Sequence, residues 1–286
     1  MHPMIVLMRF FSIWPLGLLR GLGWVLGHVL YGLAASRRRV AQVNLALCFP
    51  QQSARERSRM VRRHMVMVMQ SLLDRSWLWH GSMAQIQRRL QVVGDDALLK
   101  SDQPVVVFAP HFVGLDAGGT ALTVLGQVPM SSIYVPQRHP ALDAWVREGR
   151  NRSGRNKLYF RHDGVKQILS GLRQGDKLYL LPDMDFGPAE SIFVPFFNVP
   201  AATLPSLSRF ARLGRAQVMT AVTRMTEQGY RVELGTPWAH FPSDDVQADT
   251  ARMNRELEAL IATMPEQYYW VHKRFKTRPE GQAGFY

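Results

Sequence analysis

The chain has 286 residues, of which 47% are hydrophobic, so it can hold one large domain or two small ones around a substantial core. Its formal net charge of +13 comes mostly from arginine. This excess suits nucleic acid, an anionic membrane surface, or an acidic protein or phosphorylated lipid. The single cysteine, Cys48, excludes an internal disulfide and a cysteine-based metal cluster.

The N-terminal segment, residues 4–35, is apolar with few interruptions and is long enough to cross a bilayer. It is too long for a secretory signal core and lacks a small-residue cleavage pattern after a short core. Arg20 lies in its middle, where a charge at membrane depth is costly, and Pro15 bends it. We therefore expect an anchor embedded in or lying on the membrane, with a buried core helix pair as the alternative. The basic residues 37–39 favour a cytoplasmic location for the rest of the chain.

Beyond the anchor, residues 40–100 have helical periodicity, and strands alternate with helices from residue 104 onwards. We expect strands at residues 105–109, 132–136, 157–160, 177–181, 217–223 and 230–234, and helices at residues 116–125, 141–150, 165–173, 204–213 and 246–263. Residues 182–205, rich in proline and aromatic side chains, are expected to form a long loop. The pattern predicts an α/β fold with a central sheet flanked by helices. It divides the chain into an anchor of residues 1–36 and one α/β domain of residues 37–286.

A histidine and an acid follow the first buried strand. The apolar run ends at Pro110, His111 comes next, and Asp116 lies five residues later among glycines. On one helix, residues five apart point about 140° away from each other, so the two can meet only if His111 lies on the turn and Asp116 on the first helical turn. This geometry suits a histidine base held by an acid, beside helix N–H groups that could stabilise an anion. Open α/β sheets place their sites at such strand ends. A solvated ion pair is the alternative.

Two further sites could carry chemistry. Arg150 lies in the basic segment 147–155 at a helix end, which is either a solvated C-terminus that complements the helix dipole or a clamp for phosphate. Asp183 and Asp185 follow a strand. Without a histidine or a third acid nearby in sequence, we expect them to orient an arginine or a substrate hydroxyl rather than to bind a metal.

The remaining candidates are aromatic or basic. The aromatic loop at residues 192–203 is either core or the lining of a groove for an apolar chain. The basic and aromatic tail at residues 270–279 suits nucleic acid and membrane headgroups equally. Six other histidines show no partner spacing and are expected to be structural: His28, His64, His80, His139, His162 and His240.

Four blocks of sequence carry a resemblance to a known family: residues 109–112 with Asp116, residues 149–152, residues 182–188 followed by 193–197, and residues 265–279. On these blocks the chain resembles the bacterial lipid A late acyltransferases, the lauroyl and myristoyl transferases, over nearly its whole length. Glycerolipid acyltransferases share the histidine and acid motif. The Pro-Asp-x-Asp block and the C-terminal block are specific when taken together.

The resemblance implies a function and a set of roles. An acyl chain would move from acyl carrier protein to a hydroxyl of a lipid A precursor at the inner membrane, with the catalytic domain facing the cytoplasm and with no cofactor or metal. His111 would be the general base and Asp116 its orienting partner, although many members have glutamate there. Arg150 and Asp183 would bind substrate or an anion. The fold would be glycerolipid-acyltransferase-like, with a mixed, mostly parallel sheet. Acidic carrier protein, phosphorylated lipid and an anionic membrane surface all suit a charge of +13.

Two alternatives remain. The first is an acyltransferase that acts on glycerophospholipid or another lipid acceptor. The second is a basic membrane-peripheral or nucleic-acid-binding protein without catalysis. The Pro-Asp-x-Asp and C-terminal blocks oppose the first, and His111 at the end of a strand opposes the second. We therefore expect no nucleic-acid partner.

Overall fold

A computed structural model describes residues 2–160 and 164–286, so His162 lies outside the described residues. The helices are α1 (Pro3–Phe11), α2 (Leu16–Leu33), α3 (Ala35–Cys48), α4 (Ala54–His80), α5 (Met83–Arg89), α6 (Ala97–Lys100), α7 (Leu115–Thr120), α8 (Pro140–Arg150), α9 (Val165–Arg173), α10 (Ser206–Gly214) and α11 (Val246–Thr263). A π-helical turn, Ala121–Leu125, continues α7, and a 3₁₀ turn, Pro265–Gln267, follows α11. The strands are β1 (Leu90–Val93), β2 (Val105–Phe108), β3 (Met130–Tyr134), β4 (Asn156–Phe160), β5 (Lys177–Leu180), β6 (Ile192–Phe196), β7 (Val199–Thr203), β8 (Gln217–Thr226) and β9 (Gly229–Leu234).

Seven of the strands form one twisted sheet in the order β1-β9-β8-β2-β5-β3-β4. All neighbours are parallel except β8 and β9, so β9 and β1 run opposite to the other five strands. The expected α/β class with a mixed, mostly parallel sheet is confirmed. Strands β2 and β5 are neighbours in register, with Phe108 opposite Leu180, so the loops that follow them leave the same edge of the sheet side by side.

Two predicted elements were wrong. The short strand β1 lies inside the stretch that was expected to be helical, because its four residues give too little periodicity to oppose the helical pattern around them. Residues 192–203 form the β6–β7 hairpin instead of a loop. Pro195 and Pro200 lie opposite each other in it, and prolines argue against a strand in sequence. Phe197 and Asn198 both have positive φ, as a tight two-residue hairpin turn requires.

Helices cover both faces of the sheet. Val106 and Phe108 of β2 face a core built mainly with α3, α9, α10 and α11, whereas Val105 and Val107 face a core shared with α1, α2, α7 and α8. All four side chains are fully buried, as expected of a central parallel strand. The first half of α4 packs in one core and its second half in the other, so this helix reaches both faces.

The apolar helix α2 lies directly against α4. A Cβ atom at Gly23 would lie 2.7 Å from the Gln70 side chain, and one at Gly27 would lie 2.4 Å from the Val66 backbone. Arg20 faces the protein, where it pairs with the buried Asp74 at 2.9 Å and donates to carbonyl groups of the β8–β9 hairpin. This explains how a charge fits into an apolar helix. Within residues 2–160 and 164–286, α2 alone is long and apolar enough to cross a membrane by length and composition.

Candidate active site

The loop that carries His111 is fixed at both ends by backbone hydrogen bonds. Before it, the Ala109 N–H donates to the Leu180 carbonyl at 2.9 Å, which extends the pairing of β2 with β5 by one residue. After it, Phe112 pairs with Tyr268 in an isolated antiparallel bridge, and the Val113 N–H donates to the Gln267 carbonyl at 2.9 Å. The C-terminal block therefore forms one wall of the loop that presents the histidine.

His111 forms two hydrogen bonds with Asp183, which follows the neighbouring strand β5. The imidazole Nδ1 lies 2.8 Å from Asp183 Oδ1, and the His111 N–H donates to Oδ2 at 3.0 Å. Asp183 is completely buried, and burial opposes ionisation, but the charge and hydrogen bonds of His111 outweigh it and lower the pKa of Asp183. The buried carboxylate is therefore positioned to accept a hydrogen bond from Nδ1, which leaves the other ring nitrogen, Nε2, directed away from it. The imidazole is partly open to solvent, as a base needs to be.

The expected pairing of His111 with Asp116 is absent, so that part of the dyad prediction was wrong. Asp116 does lie on the first turn of α7, as the spacing required, but its carboxylate is taken up by two arginines. Arg75 Nη2 lies 2.8 Å from Oδ2, and Arg150 Nε lies 2.9 Å from Oδ1. Burial alone would raise the pKa of Asp116, but Arg150 and Arg75 lower it to about 2. The partner of His111 comes from the adjacent strand because parallel neighbours bring their following loops together.

Arg150 reaches the site because α8 lies very close to α4. A Cβ at Gly149 would lie 2.2 Å from the Trp79 ring, so only glycine permits this contact. The Arg150 guanidinium also lies over the Tyr134 ring at 5.6 Å, which fixes its orientation. Arg147 instead pairs with Asp143 on its own helix. Of these two arginines at the end of α8, Arg150 alone contacts Asp116.

Arg75 was missed by the sequence analysis. It lies on α4 and is 41 positions from Asp116 in the chain, so no local motif connects the two. The sequence did offer one signal: Asp74 and Arg75 are two charged residues inside an otherwise largely apolar helical stretch, which indicates that they have partners within the protein. Asp74 pairs with Arg20, and Arg75 pairs with Asp116 while its guanidinium lies 5.4 Å from the Trp79 ring centre.

Asp185, the second acid of the Pro-Asp-x-Asp block, is structural. Its carboxylate accepts hydrogen bonds from the backbone and hydroxyl of Thr277 at 2.7 and 2.8 Å and from the Gly187 N–H at 2.9 Å. Its own N–H donates to His272 Nε2 at 3.0 Å. Burial lowers the pKa of His272 to about 4, helped by the nearby charges of His111 and Arg274.

Within the described ranges, no group of three histidine, cysteine or acidic residues could hold a metal ion.

The two aromatic segments contribute mainly to the core. In the β6–β7 hairpin, Val194 and Phe196 are buried. In the C-terminal tail, Trp270, Arg274 and Phe275 are buried, and Arg274 donates to the Ala202 carbonyl at 2.8 Å. A tail whose aromatic side chains are inside the protein does not offer them to nucleic-acid bases.

The site therefore combines a histidine bound to a buried carboxylate, at the carboxyl ends of β2 and β5, with two guanidinium groups that can bind an anion. A histidine that contacts a buried carboxylate, beside an anion-binding cluster, is an arrangement found in enzymes that transfer groups to a hydroxyl or water. The family described as bacterial lipid A biosynthesis acyltransferase matches residues 3–277. The chain belongs to this family, which places it among the acyltransferases of lipid A biosynthesis.

Individual relatives agree with this assignment. A lipid A biosynthesis acyltransferase of Haemophilus influenzae is 32% identical over 91% of this chain and 81% of its own length. The palmitoleoyltransferase and the lauroyltransferase of lipid A biosynthesis from Escherichia coli are each 32% identical over 95% of this chain and over 89% and 90% of their own lengths.

Among solved structures, the 1-acyl-sn-glycerophosphate acyltransferase PlsC of Thermotoga maritima aligns with a TM-score of 0.41 at 11% identity. This alignment covers 86% of this chain and 97% of that one.

Proposed function

We propose that this enzyme transfers an acyl chain from an acyl carrier protein thioester to a hydroxyl of a lipid A precursor, with His111 as the general base. The observation that carries the proposal is the pair of hydrogen bonds from His111 to the buried, ionised Asp183. They hold the proton on Nδ1 and leave Nε2 free, which is the state a base needs. Membership of the lipid A acyltransferase family supports the reaction class.

In the proposed reaction, Nε2 of His111 removes the proton of the acceptor hydroxyl as its oxygen attacks the thioester carbonyl carbon. A new C–O bond forms, and the carbonyl oxygen becomes an oxyanion. When this tetrahedral intermediate collapses, the C–S bond breaks and the imidazolium returns the proton to the departing thiolate. A positioned base is needed because a hydroxyl has a very high pKa, and such catalysis contributes about 10²–10⁴-fold. Asp183 stabilises the imidazolium that forms in between.

The anion-binding groups of the proposed site are side chains rather than loop amides. The N–H groups of His111, Phe112 and Val113 already donate to protein acceptors. The backbone N–H groups of these three loop residues are therefore already engaged. Arg150 uses Nε on Asp116 and has no other hydrogen bond within residues 2–160 and 164–286, so we assign it to binding an anionic group of the substrates. Asp116 is assigned to holding that arginine in place.

We also propose that the protein is anchored at the inner membrane by residues 1–36, with its α/β domain facing the cytoplasm. Large apolar side chains of α1 and α2 are exposed although both helices pack on the domain: Val6, Leu7, Phe10, Leu18, Trp24, Val25, Val29 and Leu33. An apolar face of this size on helices attached to a basic protein suits an anionic membrane surface. Acidic carrier protein would then approach from the aqueous side, attracted by the charge of +13.

The proposal is tested by incubating the detergent-purified protein with acyl carrier protein thioesters of graded chain length and an under-acylated lipid A precursor. Mass spectrometry of the lipid would detect one added acyl group with wild type and none with His111→Ala. The matched control is His240→Ala, a histidine on the chain segment before α11. Acylation of a glycerophospholipid instead of the lipid A precursor would move the enzyme to the first alternative. Inactivity on both acceptors would contradict the proposal altogether.

A further inference from the structure

Arg75, Asp116 and Arg150 form a charged cluster that contains one carboxylate and two guanidinium groups. Both arginines contact the same carboxylate, one on each oxygen. Because Asp116 is ionised, with its pKa lowered to about 2, the cluster has a net charge of +1. A structural ion pair needs only one arginine for one carboxylate. The second guanidinium is therefore unexplained by the internal needs of the fold.

The guanidinium groups have unused hydrogen-bond donors that solvent can reach. Arg75 contacts Asp116 through Nε and Nη2, and Arg150 does so through Nε alone. Among the residues that the structure describes, Nη1 of Arg75 and both Nη atoms of Arg150 have no hydrogen-bond acceptor. The side chains are 30% and 27% exposed, respectively, so these donors lie at an open surface. Arginine donors in a fixed fork bind phosphoryl oxygens in a bidentate manner.

The protein holds both guanidinium groups in position before any ligand arrives. The Arg75 guanidinium lies 5.4 Å from the centre of the Trp79 ring, and that of Arg150 lies 5.6 Å from the centre of the Tyr134 ring. Each therefore has an aromatic contact in addition to its ion pair with Asp116. Binding then costs little side-chain entropy, which favours recognition of a substrate group over a transient contact.

The cluster and the proposed catalytic histidine contact different carboxylates. His111 directs its ring to Asp183, while Asp116 is committed to the two arginines. Guanidinium groups that do not contact the proposed base suit recognition of a substrate charge that is present before reaction. On the proposed function, both substrates have such a charge, because lipid A precursors bear phosphates and the carrier protein's prosthetic arm contains a phosphodiester.

We propose that Arg75 and Arg150, held by Asp116, form a binding site for a phosphoryl group of a substrate, and that Arg75 is its second guanidinium. This inference rests on the proposed function and assigns a ligand class to a residue that the sequence motifs do not include. Charge-assisted hydrogen bonds contribute about 1.5–3 kcal/mol each, which corresponds to roughly a 10- to 150-fold change in apparent affinity.

The test compares wild type, Arg75→Gln, Arg75→Lys and the control Arg59→Gln. Arg59 is an exposed arginine on the same helix α4. KM would be measured for the lipid A precursor and for its phosphatase-treated form. It would also be measured for the acyl carrier protein thioester and for an acyl N-acetylcysteamine thioester, which lacks the phosphodiester.

We expect Arg75→Gln to raise KM about 10- to 150-fold for one phosphate-bearing substrate, with kcat nearly unchanged and no effect on the phosphate-free counterpart. A rise with the lipid would identify the acceptor as the source of the phosphoryl group, and a rise with the carrier thioester would identify the donor. Arg75→Lys should lie in between, because lysine keeps the charge and loses the fork. Arg59→Gln should match wild type.

A fall in kcat with both KM values unchanged, or equal losses with and without phosphate, would overturn the inference. Calorimetric titration of the phosphorylated and dephosphorylated lipids, and of the carrier thioester, into wild type and Arg75→Gln needs no turnover. It therefore separates failure of this inference from failure of the proposed reaction. If Arg75→Gln does not fold, the same comparison with Arg75→Lys decides the question.

Discussion

His111 is held at two atoms by one carboxylate, and on the proposed function this double contact determines which ring nitrogen acts as the base. The Asp183 carboxylate accepts from both the ring Nδ1 and the backbone N–H of the same residue, so the imidazole cannot rotate without breaking a charge-assisted hydrogen bond. Asp116, the nearer acid in sequence, serves the arginines. The two acids therefore have separate partners: Asp183 contacts His111, and Asp116 contacts two arginines.

Replacing Asp183 with asparagine should reduce kcat by about 10²–10⁴-fold, because an amide cannot stabilise the imidazolium and allows the wrong tautomer. KM should change little. The measurement is steady-state acyl transfer from the carrier thioester, with Asp102→Asn, an exposed acid, as the control. An Asp183→Asn variant with more than half of the wild-type kcat would contradict the assignment.

Asp116 should stabilise the fold in a pH-dependent way. Its pKa is lowered from an ordinary value near 3.8 to about 2, so its contribution is fully present above about pH 4 and is lost as pH falls through 2. The shift corresponds to about 2 kcal/mol. Urea unfolding should show Asp116→Asn less stable than wild type by this amount at neutral pH, with the gap closing below about pH 4. A gap that is independent of pH would argue against the ionised state.

The contact between α8 and α4 determines where the positive charge of the site lies. Gly149 allows the last turn of α8 to reach the Trp79 ring, and the following residue, Arg150, then meets Asp116. On the other side, Arg75 reaches the same carboxylate from α4. A single close approach between two helices thus brings together residues that lie far apart in the chain.

Gly149→Ala should destabilise the protein by about 1–3 kcal/mol, because a methyl group would lie 2.2 Å from the Trp79 ring and the helices must separate. In a helix interior, replacing glycine with alanine normally stabilises a protein by roughly 1 kcal/mol. A loss of stability would therefore be evidence for the close contact. Gly21→Ala, where the structure leaves open space, is the matched control. Chemical denaturation would be measured for both. A stabilised Gly149→Ala variant would show that the contact is looser than described.

The elements of the sheet were largely predictable because buried parallel strands are continuous apolar runs, and helices between them are amphipathic. The β6–β7 hairpin was not, since Pro195 and Pro200 conceal its alternation. His111, Asp116 and Asp183 follow the carboxyl ends of β2 and β5, as expected for loops after parallel strands, and Arg150 lies at the end of helix α8, as expected. The sequence could not show which of these side chains contact each other, because the contacts depend on the order of the strands in the sheet and on how closely α8 packs against α4.

The burial of two histidines, one complete and one partial, makes the stability of the whole molecule depend on pH. His64 is fully buried on α4, where its Nδ1 contacts the Glu266 carbonyl, and burial lowers its pKa to about 4. His272 behaves similarly. Unfolded histidines titrate near pH 6.5, so between about pH 6.5 and 4 the unfolded chain binds more protons than the folded one. Stability is complete above this window and falls as the pH drops through it.

His64→Gln should make the protein less sensitive to acid, because glutamine cannot take up a proton on unfolding. The wild-type free energy of unfolding should drop by about 3 kcal/mol more than that of the variant between pH 7 and 4. Urea titrations across this range would measure the difference, with His28→Gln on the exposed side of α2 as the control. Parallel curves for wild type and His64→Gln would show that His64 does not titrate on unfolding.

The exposed apolar face of α1 and α2 should determine how the protein behaves towards lipid. Replacing Leu18 and Val25 with glutamate places two charges on that face without touching the contacts of Gly23 or Gly27 with α4. We expect lower binding to anionic vesicles and reduced need for detergent, with an unchanged unfolding free energy. Sedimentation with vesicles is the measurement. Undiminished binding would show that the membrane contact lies elsewhere.

The ion pair of Arg20 with Asp74 and the glycine contacts of α2 pack this apolar helix directly against α4. Asp74 precedes Arg75, so the same turn of α4 contacts both α2, through Arg20, and the candidate site, through Asp116. On the proposed anchoring, the height of the reacting imidazole above the bilayer is therefore a fixed dimension. The enzyme would then select acceptors by the distance of their hydroxyl group from the membrane, since only a hydroxyl at the height of His111 could reach the base.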